Sequence, residues 1–307
     1  MRDRSTPPAP SMALPDWNAV WTAMKERQLA TPGFLPGDDF FGKDETVERY
    51  RRAVAASFHG DAERQIASMA IPGGAAVLDI GAGPGTLAVP LARRGCRVTA
   101  IEPSAPMRQA LSEYADREGV TVKLIEEPWE RTDPAALDGP FHAVIASYSL
   151  MMVDLRAALA KMHAVCSGRV HVFWPLTPPG GQVIERALWP AVHGTEYPLG
   201  PMADCIWNLL YQMGILATLE AEFSPFEHRY RDLDEATAEF RDRLNCPSER
   251  EEVLRDSLGR LLPRGPDGGY RLDRSAWNAA IRWDVRSQPV VDGPDAGVRT
   301  AGAETLL

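Results

Sequence analysis

The chain has 307 residues, 45% of them hydrophobic and 24% charged, and a formal net charge of -9. That length holds one large α/β domain with additions, or two small ones, and the acid excess argues against a surface built to track nucleic-acid phosphates. Cys96, Cys166, Cys205 and Cys246 are scattered with no Cys-x-x-Cys pair, and there is neither a signal segment after Met1 nor an apolar run of the roughly 20 residues that span a membrane, so a cytoplasmic protein with reduced thiols is expected.

Residues up to about Pro15 are rich in Pro, Ser and Arg and read as disordered. Asp16 can cap a helix from Trp17 to about Leu29, with Trp17, Val20, Trp21 and Met24 on one stripe. A loop through Pro32-Gly33 and Pro36-Gly37 leads to a polar helix over about 44–58 and a further helix opened by Asp61. Pro72-Gly73-Gly74 ends that helix. Strands are then predicted at about 76–80, 97–101, 121–125, 142–147 and 169–174, alternating with helices at about 85–94, 105–117 and 153–165. Strict alternation points to a parallel sheet covered on both faces. Pro90 falls inside the first of these helices, where a bend is expected.

Beyond Pro175 the pattern changes. Residues 176–201 read as a long Pro/Gly-rich excursion, followed by a helix at about 202–213 and a strand from Ile215 to Phe226. Asp232-x-x-Glu235 and Ser248-x-x-Glu251 have the form of capping boxes for amphipathic helices at about 233–244 and 249–262. Ala276 to Val285 reads as a final strand, and the tail from about Gln288 as loose.

The most informative stretch is Ala76-Val77-Leu78-Asp79-Ile80-Gly81-Ala82-Gly83-Pro84-Gly85-Thr86, followed by Glu102 at the end of the next strand. A buried strand that ends in glycines lets the main chain approach a ligand with no Cβ in the way. A carboxylate ending the neighbouring strand can accept hydrogen bonds from a ribose diol, so a nucleoside-like ligand is implied. A dinucleotide fingerprint spaces its glycines G-x-G-x-x-G; here the glycines run G-x-G-x-G and Thr86 stands at the third position.

Asp79 to Thr86 resembles motif I of the class I S-adenosylmethionine-dependent methyltransferases. Val98 to Ser104, with Met107, is similar to that family's second motif, and Phe141 to Leu150 to the strand and loop of its fourth. The resemblance covers roughly residues 60–175 and extends through the late strands to about 285. It implies a doubly wound, Rossmann-like seven-stranded α/β sheet, mostly parallel with an antiparallel last strand, helices on both faces, an N-terminal helical extension and a helical insertion before the last strand. The implied organisation is a disordered start and helical lid over 1–60, a methyltransferase domain over 61–287 and a flexible tail over 288–307. Within the domain, the cofactor half spans about 61–175 and the substrate-side elements about 176–287.

The cofactor implied is S-adenosyl-L-methionine. By resemblance Gly81, Ala82 and Gly83 form the floor under its methionine and ribose parts, Gly85 and Thr86 belong to the same cofactor-binding set, and Asp79 orients that loop and reaches the ammonium. Glu102 holds the ribose hydroxyls, Met107 packs near the adenine, and Pro103, Ser104 and, after the fourth strand, Ser147 complete the cofactor-binding set. The family often places an acidic residue after the third strand; here Pro128 stands there, which shifts the adenine contact to Trp129. Substrate-pocket candidates are Trp17, Trp21, Tyr50, Tyr148 and Trp174, with core packing an open alternative for the Trp17/Trp21 stripe. Tyr148 is a candidate for assisting proton transfer. The histidines show no metal-ligand spacing, so no metal is expected. The reading is a methyltransferase, monomer or homodimer, acting on a small-molecule acceptor. An RNA or protein methyltransferase is the alternative, with a nucleotide-cofactor oxidoreductase or a non-catalytic cofactor-binding protein more remote.

Overall fold

A computed structural model describes residues 15–35 and 59–288. The predicted helix over 44–58, the start before Pro15 and the tail beyond Gln288 lie outside the described residues. Elements are numbered in chain order among those described.

The alternating half folds as its pattern predicts. Strands β1 (Ala76–Ile80), β2 (Arg97–Ile101), β3 (Lys123–Ile125), β4 (Phe141–Ser147) and β5 (Cys166–Pro175) are parallel neighbours in the order β3-β2-β1-β4-β5. The central strands β1, β2 and β4 are almost wholly buried because helices cover both faces. On one face lie α2 (His59–Met69), α3 (Ala88–Arg93) and α4 (Ala105–Glu118). The opposite face takes α1 (Trp17–Ala30), α5 (Leu155–Val165) and α7 (Ala203–Gln212). Strand order reverses between β1 and β4, the point where open α/β sheets place ligands outside the carboxyl ends of their strands.

The sheet continues through β9 (Ala276–Asp284) to β6 (Thr218–Ser224), with β9 antiparallel to both β5 and β6. This is the seven-stranded, mostly parallel sheet implied by the resemblance. Asp16 caps α1 as expected, its Oδ1 accepting from the N–H groups of Asn18 (3.0 Å) and Ala19 (3.3 Å). Pro90 falls in the first turn of α3, where helix N–H groups lack intrahelical partners, so the expected bend has no cause.

The excursion at 176–201 is the main departure. Residues Gly180–His193 form α6, whose buried Leu188, Trp189 and Val192 join a third core with α8 (Leu233–Arg243) and α9 (Glu251–Leu261). A two-stranded antiparallel sheet, β7 (Glu227–Tyr230) with β8 (Tyr270–Asp273), completes it. Pro190 disguised the helix, and the 39 residues between the two strands hid their pairing. Asp232 does cap α8, accepting from Glu235 N–H at 2.9 Å. Ser248 instead begins a short 3-10 turn that leaves Arg250 at the N-cap position of α9, so that helix starts with no side-chain cap.

Candidate functional site

A cleft of about 360 Å³ opens at the carboxyl ends of β1, β2 and β4. Its floor is the turn after β1, hooked onto the end of β2 because Gly81 N–H and Ala82 N–H both donate to Ile101 O (2.8 and 3.0 Å). Gly81 has φ +68, and a Cβ there would stand 2.4 Å from Ser149 Cβ. Ser149 Oγ in turn donates to Ile80 O, pinning the loop after β4 against that glycine. Gly83 has φ +56, with open space where a Cβ would project. Both positions require glycine, for conformation and, at Gly81, for room as well.

Glu102 ends β2, buried. Its Oε2 accepts from Gly83 N–H at 2.7 Å and its Oε1 from Ser104 N–H at 2.9 Å. Arg108 fixes the ends of β2 and β3 by donating to Glu102 O (3.0 Å) and Pro103 O (2.6 Å) and pairing with Glu126 at 3.1 Å. Asp79 is only 2% exposed and accepts from Ala88 N–H. Burial, and next the charge of Glu102, push its carboxyl up to about 7.

Residues 77–168 match the family described as methyltransferase domain. The chain carries a methyltransferase domain over those residues. It is 32% identical over 167 residues to an uncharacterized protein of Haemophilus influenzae, covering 52% of this chain and 59% of that one. It is 34% identical over 137 residues to a ubiquinone biosynthesis O-methyltransferase of Methylocella silvestris (41% and 48% covered), and 33% identical over 123 residues to a protein-L-isoaspartate O-methyltransferase of Methylorubrum populi (39% and 54% covered). The chain thus spans about half the length of the curated relatives it matches. The crystal structure of the YcgJ protein from Bacillus subtilis superposes with a TM-score of 0.53 at 16% identity, covering 74% of this chain and 98% of that one, a likeness of fold.

Within the methyltransferase domain, Gly81, Gly83, Glu102, Pro103, Ser104, Met107, Trp129, Ser147 and Tyr148 all line the cleft. Asp79, Ala82, Gly85 and Thr86 do not. Ala82 is packed in the core, and at Gly85 a Cβ would meet Leu111 and Val89 at 2.9 Å, so that glycine lets α4 approach. Trp129 is anchored by its indole N–H, which donates to Ala158 O (3.2 Å), and by the Lys161 ammonium 4.3 Å from its ring centroid.

Of the substrate-side candidates among the described residues, only Tyr148 lines the cleft. Trp21 (0% exposed) and Trp174 are core residues and Trp17 packs against that core, while Tyr50 lies outside the described residues. Tyr148 has φ +55, unusual for a bulky residue, and forms a wall common to the cleft and to a second cavity of about 720 Å³. That cavity lies over β5, β9 and β6, with Phe173, Phe223 and Phe226 in its walls and Arg274 and Glu222 at its polar side.

Sequence reasoning expected a helical lid within 1–60 but named none of the residues by which α1 forms a wall of the cleft. Lys25, Gln28 and Leu29 line the cleft, as do Met151, Met152 and Val153. The helix is latched there by Trp21 Nε1 donating to Met152 O (2.8 Å), Thr22 Oγ1 to Val153 O (2.9 Å) and Asn18 Nδ2 to Asp154 (3.2 Å). The signal was present in Asn18 and Thr22, polar residues one helical turn apart on the side of Trp21. Among the described residues, no three His, Cys, Asp or Glu side chains gather, and no helix is long and apolar enough to cross a membrane.

Proposed function

We propose that the chain transfers a methyl group from S-adenosyl-L-methionine to a small-molecule acceptor. The observation that carries the reading is Glu102, a buried carboxylate held by two backbone N–H groups at the lip of a glycine-floored cleft at the sheet's switch point. The residues fit that cofactor. Gly81 and Gly83 leave the main chain bare where the methionine and ribose parts lie, Glu102 receives the ribose hydroxyls, and Met107 with Trp129 flanks the base.

When bound, the cofactor supplies a methyl group already activated on a sulfonium. The protein's part is then to hold a nucleophile in line and exclude water, and positioning of that kind is worth about 7–11 kcal/mol. Tyr148, between the two cavities, is placed to orient the acceptor or carry its proton. In this reading residues 61–175 bind the cofactor, α1 from the 1–60 segment closes one wall, and the elements over 176–287 shape the acceptor side.

Calorimetric titration with S-adenosylhomocysteine tests the first half: wild type binds, and Gly83→Val and Asp79→Ala bind at least about tenfold more weakly. Absence of binding by wild type, or tight binding of a nicotinamide cofactor instead, overturns the reading. The similarity to a protein-L-isoaspartate O-methyltransferase keeps a second reading, transfer to a protein. Labelled methyl appearing in bulk protein or RNA, and none in small metabolites, would favour a macromolecular acceptor.

A further inference from the structure

Lys25 stands in the third turn of α1, 5% exposed, on the wall of the cleft. Its Nζ lies 5.2 Å from the ring centroid of Trp21 and 5.5 Å from that of Trp174, and the two rings are 5.7 Å apart. Cation–π attraction offsets part of the cost of dehydrating an ammonium. The ring faces nevertheless leave its three N–H donors without an oxygen acceptor. Among the described residues, Nζ has neither a hydrogen-bond partner nor a carboxylate, and burial alone holds its pKa down at about 8.

A buried charge is ordinarily paired. An apolar side chain would fill the same slot between two indoles at less cost, so packing does not account for an ammonium there. The cation also has a defined place. Trp174 lies near the end of β5, and Met152 and Val153 follow β4, whereas Glu102 ends β2. Lys25 and Glu102 therefore stand at different ends of one cleft, a cation over the β4–β5 side and an anion over the β2 side.

We propose that Lys25 is the receptor for a ligand carboxylate at the β4–β5 end of the cleft, the two indoles holding its ammonium in place. The inference rests on the proposed methyl transfer. The carboxylate has two possible sources, the amino-acid end of the cofactor or the methyl acceptor itself, and the chemistry that Lys25 recognises is the same for both.

The test uses Lys25→Met, which keeps the unbranched stem and removes the charge, and Lys25→Arg, which keeps the charge. Each is titrated with S-adenosylhomocysteine and with 5′-methylthioadenosine, which lacks the amino-acid end. Each is also supplied with labelled cofactor and a small-metabolite extract, with products separated by anion exchange. Losing one partner of a buried charge pair should cost about 30-fold or more.

If the carboxylate is the cofactor's, Lys25→Met weakens S-adenosylhomocysteine by that factor and leaves 5′-methylthioadenosine unchanged. If it is the acceptor's, both nucleosides bind as in wild type, and labelled product in the anion-retained fraction falls by that factor. Lys25→Arg keeps most of the wild-type behaviour in either case. Equal weakening of both nucleosides, or no change in any measurement, overturns the proposal and leaves Lys25 a wall residue. Failure of wild type to bind either nucleoside is a distinct result that removes the methyltransferase reading, and this inference with it.

Discussion

The two ends of the cleft are built on opposite principles. At the β1–β2 end the charged group, Glu102, is satisfied by main-chain N–H groups that lie 19 and two residues away in sequence. At the β4–β5 end Lys25 is carried in by a helix that packs on α5 and α7, and among the described residues its ammonium meets only indole rings. The first end is a local device, strand, turn and strand, whose geometry follows from backbone conformation. The second exists only after a distant helix has docked. A group satisfied by its own backbone costs the fold little, whereas a lone buried ammonium costs stability and is explained by what it binds.

Substitutions can break or sharpen that contrast. The largest effect is expected from Gly81→Val, which places a branched side chain at φ +68 against Ser149. Roughly 2–4 kcal/mol of strain should distort the turn and remove S-adenosylhomocysteine binding in titration. Lys25→Met should act in the other direction on the fold. The pKa of Lys25 is lowered from 10.5 to about 8, so below pH 8 the folded state carries a desolvation cost near ~3 kcal/mol. Between about pH 8 and 10.5 the unfolded chain holds a proton that the folded chain has shed, and wild-type stability rises with pH across that window. Urea unfolding at pH 7 and pH 10 should show Lys25→Met more stable at pH 7, with the gap closing at pH 10.

Asp79 gives the opposite sign at the glycine end. With its carboxyl raised from 3.8 to about 7, the folded state keeps a proton that the unfolded state releases, so stability falls as pH rises from about 4 to 7. In Asp79→Asn that slope should vanish in unfolding titrations at pH 5 and pH 8. The smallest effect is expected away from both ends. Asp232→Ala removes the cap of α8 and should cost about 1 kcal/mol in urea unfolding, with nucleoside binding unchanged.

The parallel half of the sheet was legible because its signals are local. Apolar runs of five residues and a turn of glycines each act over a few positions, and β1, β2 and β4 fall where the pattern placed them. The cleft residues on those strand ends were legible for the same reason. Of the third core only the helices α8 and α9 were legible. α6 hides behind Pro190, and β7 finds β8 across two intervening helices, a pairing that no short window contains. Trp17, Trp21 and Trp174 show the limit from the other side. Helical spacing marked Trp17 and Trp21 and strand topology marked Trp174, yet whether a tryptophan lines a cavity or fills a core depends on what packs against it.

The sequence by itself determined the switch-point turn, Glu102 beside it and the methyltransferase domain they belong to, because backbone conformation and strand alternation act over short range. Only the tertiary structure decided which residues of α1 wall the cleft, that Lys25 rather than Trp17 or Trp21 faces the ligand space, and that Tyr148 divides two cavities. Those facts depend on contacts between segments more than a hundred residues apart, such as Trp21 to Met152. Long-range packing, not any local pattern, sets which side of a buried helix looks into a cavity.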